Sequence, residues 1–224
     1  MNLAVSLALA AAALASEFPA AVRLLPGSPR VEVTNTGTQA ITAWSFAVST
    51  PNASGGVHRE THTADVYLSE VTGTLPGAEP HLDRILPGQS RALPIDAAGP
   101  DASVQIIALV LQDGTALGDP AVITSWFAHR ALERDQLRAV SETFRTVLGA
   151  KRGTPALTEL SREFQSAAGE ESGPRRTARD AVEALLRKAQ AGSEDDADRS
   201  ARRYAEFVSK QYDTAVTHAR RKGI

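Results

Sequence analysis

The pattern of apolar and polar positions is most strongly apolar between Ser103 and Asp119, and this stretch organises the rest of the chain. Every position from Val104 to Leu111 except Gln105 is apolar, which is typical of a strand buried on both faces. We expect a second sheet to cover one face and a helix to cover the other. The two predicted faces are Val104, Ile106, Ala108 and Val110 on one side, and Ile107, Leu109 and Leu111 on the other.

Shorter alternating stretches before this run predict further strands. In residues 40–49, Thr42, Trp44, Phe46 and Val48 share one face, and the two aromatic side chains make it the predicted core face. Residues 71–89 are rich in Gly and Pro and fit a long crossover between sheets. Six or seven short strands in this length predict an immunoglobulin-like antiparallel β-sandwich over residues 16–119. The other predicted strands are 21–25, 30–34, 60–69 and 91–95.

The second half of the chain has helical periodicity, so the predicted fold class is α+β. Asp113-Gly114 predicts a hairpin turn, and Asp119-Pro120 predicts the cap and first residue of a long helix over residues 120–149. A last strand at residues 122–124 is the alternative. Trp126 and Phe127 are the predicted cover of the central strand, as core residues rather than a ligand platform.

Three shorter helices are predicted within the remaining residues of the 120–224 helical region. They begin at Thr154-Pro155, at residues 172–174 and at Ser193, where acidic residues occupy the first turn. Their apolar stripes are narrow and rich in alanine. This pattern fits either short helices that pack closely or a helix that is partly released from the body.

Three segments together resemble immunoglobulin-like sandwich modules of uncharacterised exported bacterial proteins. They are VEVTNTGTQAITAW, LPGQS and IIALVLQDGTALGD, and the resemblance covers about residues 20–125. It implies a sandwich in an envelope or extracellular setting, with Asn35, Gly37, Pro87 and Gly88 as structural positions of the fold. It implies no catalytic signature and no substrate.

The first residues predict export. Residues 3–15 form an apolar run that is too short to span a bilayer comfortably, and Ala13-Leu14-Ala15 is a small-x-small cleavage sequence. Residues 1–15 are therefore a predicted signal peptide, and the mature chain is expected to be periplasmic or secreted, without a transmembrane helix. Because no Lys or Arg precedes the run, an alanine-rich helix within a cytoplasmic protein is the alternative.

Composition narrows the class of protein further. The chain has 42% hydrophobic and 22% charged residues, which excludes a disordered chain, and it has no cysteine, which excludes disulfides and thiolate sites. Residues 1–125 contain 5 Lys or Arg against 11 Asp or Glu, whereas residues 126–224 contain 19 against 15. This asymmetry indicates two modules of different composition.

Few residue patterns suggest chemistry. His58, His62 and Asp65, with His81 and Asp83 further on, could be imagined as a metal site, but in a strand the two histidines would not converge. Asp113, Thr115 and Asp119 could suggest a calcium loop, although turn and capping chemistry explains them better. Neither a Gly-x-Ser-x-Gly motif nor a phosphate-binding glycine loop is present, so we predict no catalytic residue and no cofactor.

Basic pairs in the helical half suggest nucleic-acid binding as a hypothesis. The acidic residues interspersed with them instead favour solvated helix faces and no nucleic-acid partner. The leading hypothesis is a non-enzymatic exported module that binds another protein or an envelope component. The alternatives are a metal-dependent or other hydrolase that uses His58, His62 or Asp65, and a cytoplasmic adaptor with basic helices. The sequence defines neither the partner nor the oligomeric state.

Overall fold

A computed structural model describes residues 18–52, 54–66, 83–96, 99, 101–166 and 173–222. The predicted signal peptide, His81 and most of the predicted crossover at residues 71–89 lie outside the described residues. All elements and contacts below belong to the described part of the chain.

Two antiparallel sheets form the first part of the protein, which confirms the predicted sandwich. The three-stranded sheet has the order β1-β2-β5 and the four-stranded sheet has the order β4-β3-β6-β7. The central strand β6 and its neighbour β3 are paired along most of their length. The strands are β1 Ala20–Leu24, β2 Arg30–Asn35, β3 Ile41–Pro51, β4 Val57–Asp65, β5 Ser90–Pro94, β6 Ser103–Leu111 and β7 Ala116–Gly118.

The apolar core of the sandwich lies between the two sheets. Val31 and Val33 of β2 contribute from one sheet, and Trp44, Phe46 and Val48 of β3 contribute from the other. These three β3 residues lie on the core face that the alternation predicted. The fourth predicted member, Thr42, is also buried, but the ladder with β6 is irregular between Ile41 and Ala43, so Thr42 falls outside the regular alternation. Its hydroxyl donates to the carbonyl oxygen of Val110 at 3.2 Å.

The predicted faces of β6 are wrong beyond Ile106, because Ile107 is an extra residue in the ladder. Ser45 pairs with Ala108 and Phe46 pairs with Ile106, so Ile107 has no partner on β3. Such a bulge reverses the side-chain alternation that follows it. Leu109 and Leu111 therefore join the sandwich core, and Ala108 and Val110 turn to the outer face.

Four helices follow the sandwich in the described part. The long helix α1 begins at Pro120, and the carboxylate of Asp119 accepts hydrogen bonds from the backbone amides of Ala121 and Val122 at 2.7 and 3.2 Å. This confirms the predicted cap and excludes a strand at residues 122–124. The helices are α1 Pro120–Ala150, α2 Gly153–Gln165, α3 Gly173–Gln190 and α4 Glu194–His218.

All four helices share one apolar core, so close packing is the correct alternative for the alanine-rich stripes. Phe144 of α1 contacts the rings of Phe164 of α2 and Tyr204 of α4, with ring centroids 5.3 and 5.6 Å away. Small residues such as Ala178 and Ala201 are fully buried and let the helices approach closely. No helix of the described residues is both long enough and apolar enough to cross a bilayer.

Two acidic residues near the start of α4 cap another helix. Ser193 makes no side-chain capping bond. Instead, Asp198 and Glu194 accept hydrogen bonds from the backbone amides of Gly153 and Thr154 at 2.8 and 2.7 Å, at the start of α2. Acidic side chains stabilise a helix N-terminus through its unpaired amides and its dipole, and here they join α4 to α2.

Helix α1 also covers the outer face of the central sheet, as predicted. Ile123 and Trp126 pack against Ala43, Ala108 and Val110, and all five side chains are buried. Trp126 is only 6% exposed. The central strand is thus covered on both faces, by the second sheet and by α1.

The chain returns to the sandwich after α4. The backbone amide of Lys222 donates to the carbonyl oxygen of Gly114 at 3.1 Å, and its ammonium group donates to Asp113 at 2.6 Å. Gly114 has φ +85° in the turn between β6 and β7, and a Cβ atom there would overlap the carbonyl oxygen of Arg220. We refer to residues 219–222 as the C-terminal strap.

Candidate functional site

A cleft opens between the two sheets where β4 and β5 form their edges. Its volume is about 330 Å³. The floor is aromatic, since Trp44 and Phe46 belong to the sandwich core. The residues that line the cleft are Trp44, Phe46, Thr61, His62, Thr63, Ala64, Leu93 and Pro94.

Polar groups surround this aromatic floor. The imidazole of His62 stacks on Phe46, with ring centroids 5.1 Å apart and planes 15° apart. Its Nε2 atom lies 2.9 Å from a carboxylate oxygen of Glu60, close enough for an ion pair but not aligned for a hydrogen bond. The guanidinium of Arg91 lies over Trp44 at 5.8 Å. The cleft therefore combines an apolar interior with a rim of both charges.

The backbone of β4 adds hydrogen-bonding groups beside the cleft. The amide of Val66 donates to the carbonyl oxygen of Thr42 on β3, and the ladder continues with His62 opposite Phe46. Because backbone groups of successive residues point to opposite sides of a strand, even-numbered residues bond to β3. Thr61 and Thr63 then direct their amides and carbonyls away from the sheet, and no described strand pairs with this edge.

The imagined metal ligands are not brought together. His58 and His62 are four residues apart on β4, opposite Thr50 and Phe46, which separates them by about 13 Å along the strand. Asp65 is at an odd-numbered position and points to the opposite face, toward α1. Within the described residues, no group of three His, Asp or Glu side chains could hold a metal ion.

The imagined calcium ligands have separate structural roles. Asp113 accepts from the backbone amide of Thr115 at 3.0 Å and from Gln39 and Lys222. The hydrogen bond from Lys222, followed by the bonds from Thr115, holds the pKa of Asp113 well below its usual value. Asp119 caps α1, as described above, so the two carboxylates are engaged in different places.

The sequence analysis missed a buried ion pair between the sandwich and the helices. Arg130 of α1 donates from Nε and Nη2 to the two carboxylate oxygens of Asp65 at 2.9 and 2.8 Å. The side chains are 2% and 9% exposed. One signal was available, because Arg130 lies four residues after Trp126 and seven before Leu137, in the apolar stripe of α1.

One arginine from each of two basic pairs in the helical half makes hydrogen bonds within the protein. Arg175 donates to the carbonyl oxygens of Glu163 and Phe164 at the end of α2. Arg202 donates to Asp198 and to the carbonyl oxygen of Leu148 at the end of α1. These guanidinium groups satisfy carbonyls that helix ends leave unpaired, which is a structural use of their charge.

The cleft thus has an apolar interior and lies beside the outward-facing backbone groups of Thr61 and Thr63. Comparison with protein-family models finds no match, and comparison with curated proteins and with solved structures finds no significant similarity.

Proposed function

We propose that the protein is an exported, non-enzymatic binding module that takes up an extended segment of a partner protein along β4. The observation that carries this proposal is the cleft between β4 and β5, which lies beside the outward-facing backbone groups of Thr61 and Thr63. An added strand satisfies such groups by main-chain hydrogen bonds, and pockets for alternate side chains provide specificity.

The cleft has the size and the lining for alternate side chains of such a strand. A volume of about 330 Å³ lies at the small end of the roughly 300–1,000 Å³ typical of ligand pockets, which suits one or two side chains. Trp44, Phe46 and Leu93 favour apolar groups there. The partner segment is therefore extended, with apolar residues at alternate positions.

Export is the second part of the proposal, and it rests on the apolar run and cleavage sequence at residues 3–15. Fractionation of the native host, followed by mass measurement of the recovered chain, tests it. We expect the protein outside the cytoplasm, beginning at Ser16. An intact Met1 on a cytoplasmic protein would instead favour the adaptor alternative.

The binding proposal is tested with a display library of extended eight-residue peptides and with two pairs of variants. Thr61→Pro removes an outward-facing amide and leaves the β3 ladder intact, while Thr61→Val retains that amide. Ala64→Phe fills the cleft, and Ala92→Phe adds the same ring to an exposed position of β5.

We expect selected peptides to have alternating apolar residues and to lose at least about tenfold in affinity, 1.4 kcal/mol, with Thr61→Pro and with Ala64→Phe. The paired variants Thr61→Val and Ala92→Phe should bind as the unmodified protein does. Equal binding by all four variants, or a failure to select any peptide, would contradict the proposal.

A further inference from the structure

The contact between the sandwich and the helices around Asp65, Arg130 and His218, which we call the joint, contains a carboxyl group with one buried oxygen that has no hydrogen-bond partner among the described residues. Glu133 follows Arg130 by three residues on α1, and its Oε2 atom is buried without a hydrogen-bond partner among the described residues. Native proteins rarely leave a buried carboxylate oxygen in this state, since the desolvated charge is unfavourable.

The described hydrogen bonds of Arg130 do not reach Glu133. Its Nε and Nη2 atoms donate to Asp65, and its Nη1 atom donates to the carbonyl oxygen of His218 at the end of α4 at 3.4 Å. The cluster thus joins β4, α1 and α4, and the described hydrogen bonds of Arg130 go to Asp65 and His218 rather than to Glu133. A proton on Glu133 would remove its charge and make the carboxyl a hydrogen-bond donor.

Electrostatics favour a proton on Glu133. Burial raises the pKa of Glu133, and the negative charge of Asp65 adds to the increase, whereas His129 acts in the opposite direction. Both carboxylate oxygens of Asp65 accept hydrogen bonds from Arg130, at 2.9 and 2.8 Å. Burial therefore disfavours the ionised form of Glu133, whose Oε2 atom has no such donor among the described residues.

We propose that this joint is sensitive to pH: Glu133 binds a proton as the pH falls, and the contact between the sandwich and the helices then becomes more stable. Among the described residues, the titratable and charged groups around it are Asp65 from β4, His129 and Arg130 from α1, and His218 at the end of α4. The strap adds Arg221, whose guanidinium lies over the same Phe127 ring as that of Arg130, at 5.9 and 5.3 Å. A carboxyl that binds protons more strongly in the folded state than in the unfolded state loses its stabilising contribution as the pH rises.

The test compares the full chain with Glu133→Gln, a neutral side chain of the same shape, and with Glu142→Gln, which removes an exposed carboxyl from the same helix. Urea unfolding is measured from pH 4 to pH 8. We expect the unfolding constant of the unmodified protein to rise relative to that of Glu133→Gln as the pH increases, by about tenfold for each unit by which the pKa is raised. Glu142→Gln should follow the unmodified protein.

A local measurement identifies the joint as the responsive part. At pH 8, hydrogen exchange of amides in the first half of α1 and in β6 should be slower in Glu133→Gln than in the unmodified protein, with α2 and α3 unchanged. The proposal is overturned if the pH profiles of Glu133→Gln and the unmodified protein coincide. It is also overturned if exchange slows uniformly through all helices, or if NMR titration finds the pKa of the Glu133 carboxyl at or below the usual pKa of Glu.

Discussion

The buried pair of Asp65 and Arg130 provides the sharpest prediction for stability. Replacing Arg130 with Met keeps the bulk of the side chain, removes the charge and leaves the buried Asp65 carboxylate without its guanidinium partner. Two charge-assisted hydrogen bonds are lost, each worth about 1.5–3 kcal/mol. Removing one member of a buried ion pair leaves the other charge in a poorly solvated environment. We therefore expect a loss of about 3–5 kcal/mol in the free energy of unfolding.

A double-mutant cycle with Asp65→Asn separates the pair from the packing of the side chains. Urea unfolding of Arg130→Met, Asp65→Asn and the double variant gives a coupling energy, which we expect to be about 2 kcal/mol or more for groups in contact. The double variant should be more stable than the sum of the single changes implies. A loss below 1 kcal/mol for Arg130→Met, or additive losses, would refute the argument that the pair fastens the joint.

Three further predictions concern the contacts around α1 and the strap. Trp126→Ala should lower the free energy of unfolding by about 3–5 kcal/mol, because the ring is buried on the central sheet, and a loss below 1 kcal/mol in urea unfolding would contradict that placement. Asp119→Ala should cost about 1 kcal/mol by removing the cap of α1, measured in the same way, while Asp119→Asn retains most of it. Because the pKa of Asp113 is lowered in the folded state, its contribution to stability is present above the usual pKa of Asp and is lost as the pH falls toward its folded-state pKa. Lys222→Met should therefore reduce the loss of stability on acidification, measured by urea unfolding at several pH values. An unchanged pH profile would contradict a contribution of the strap to stability.

Local patterns predicted the elements well because their causes are local. The start of α1 follows from Asp119 and Pro120, and its outcome depends on residues within one turn. The double cover of the central strand follows from its composition in the same way. What could not be predicted was the bulge at Ile107, since neither Gly nor Pro marks it and its cause is the pairing with β3, 60 residues earlier in the chain.

The candidate site was less predictable because it depends on contacts distant in sequence. Asp65 and Arg130 are 65 positions apart, and no local rule pairs them. The sequence suggests His62 only as part of an imagined metal site. Its register instead places it on Phe46, beside a cleft whose other wall comes from β5. The aromatic residues Trp44 and Phe46 identify β3 as a core strand, but the sequence does not show that its neighbour β4 is an edge strand.

The C-terminal strap changes what the boundary at residues 119–120 means. The helices leave the sandwich through the peptide bond before α1 and return to it through Lys222, which bonds to Asp113 and Gly114. Because the helical region is attached to the sandwich at both of its ends, it cannot move as an independent domain on a flexible linker. The two halves should therefore melt in a single cooperative step, and a truncation within the helices would also weaken the turn of the sandwich.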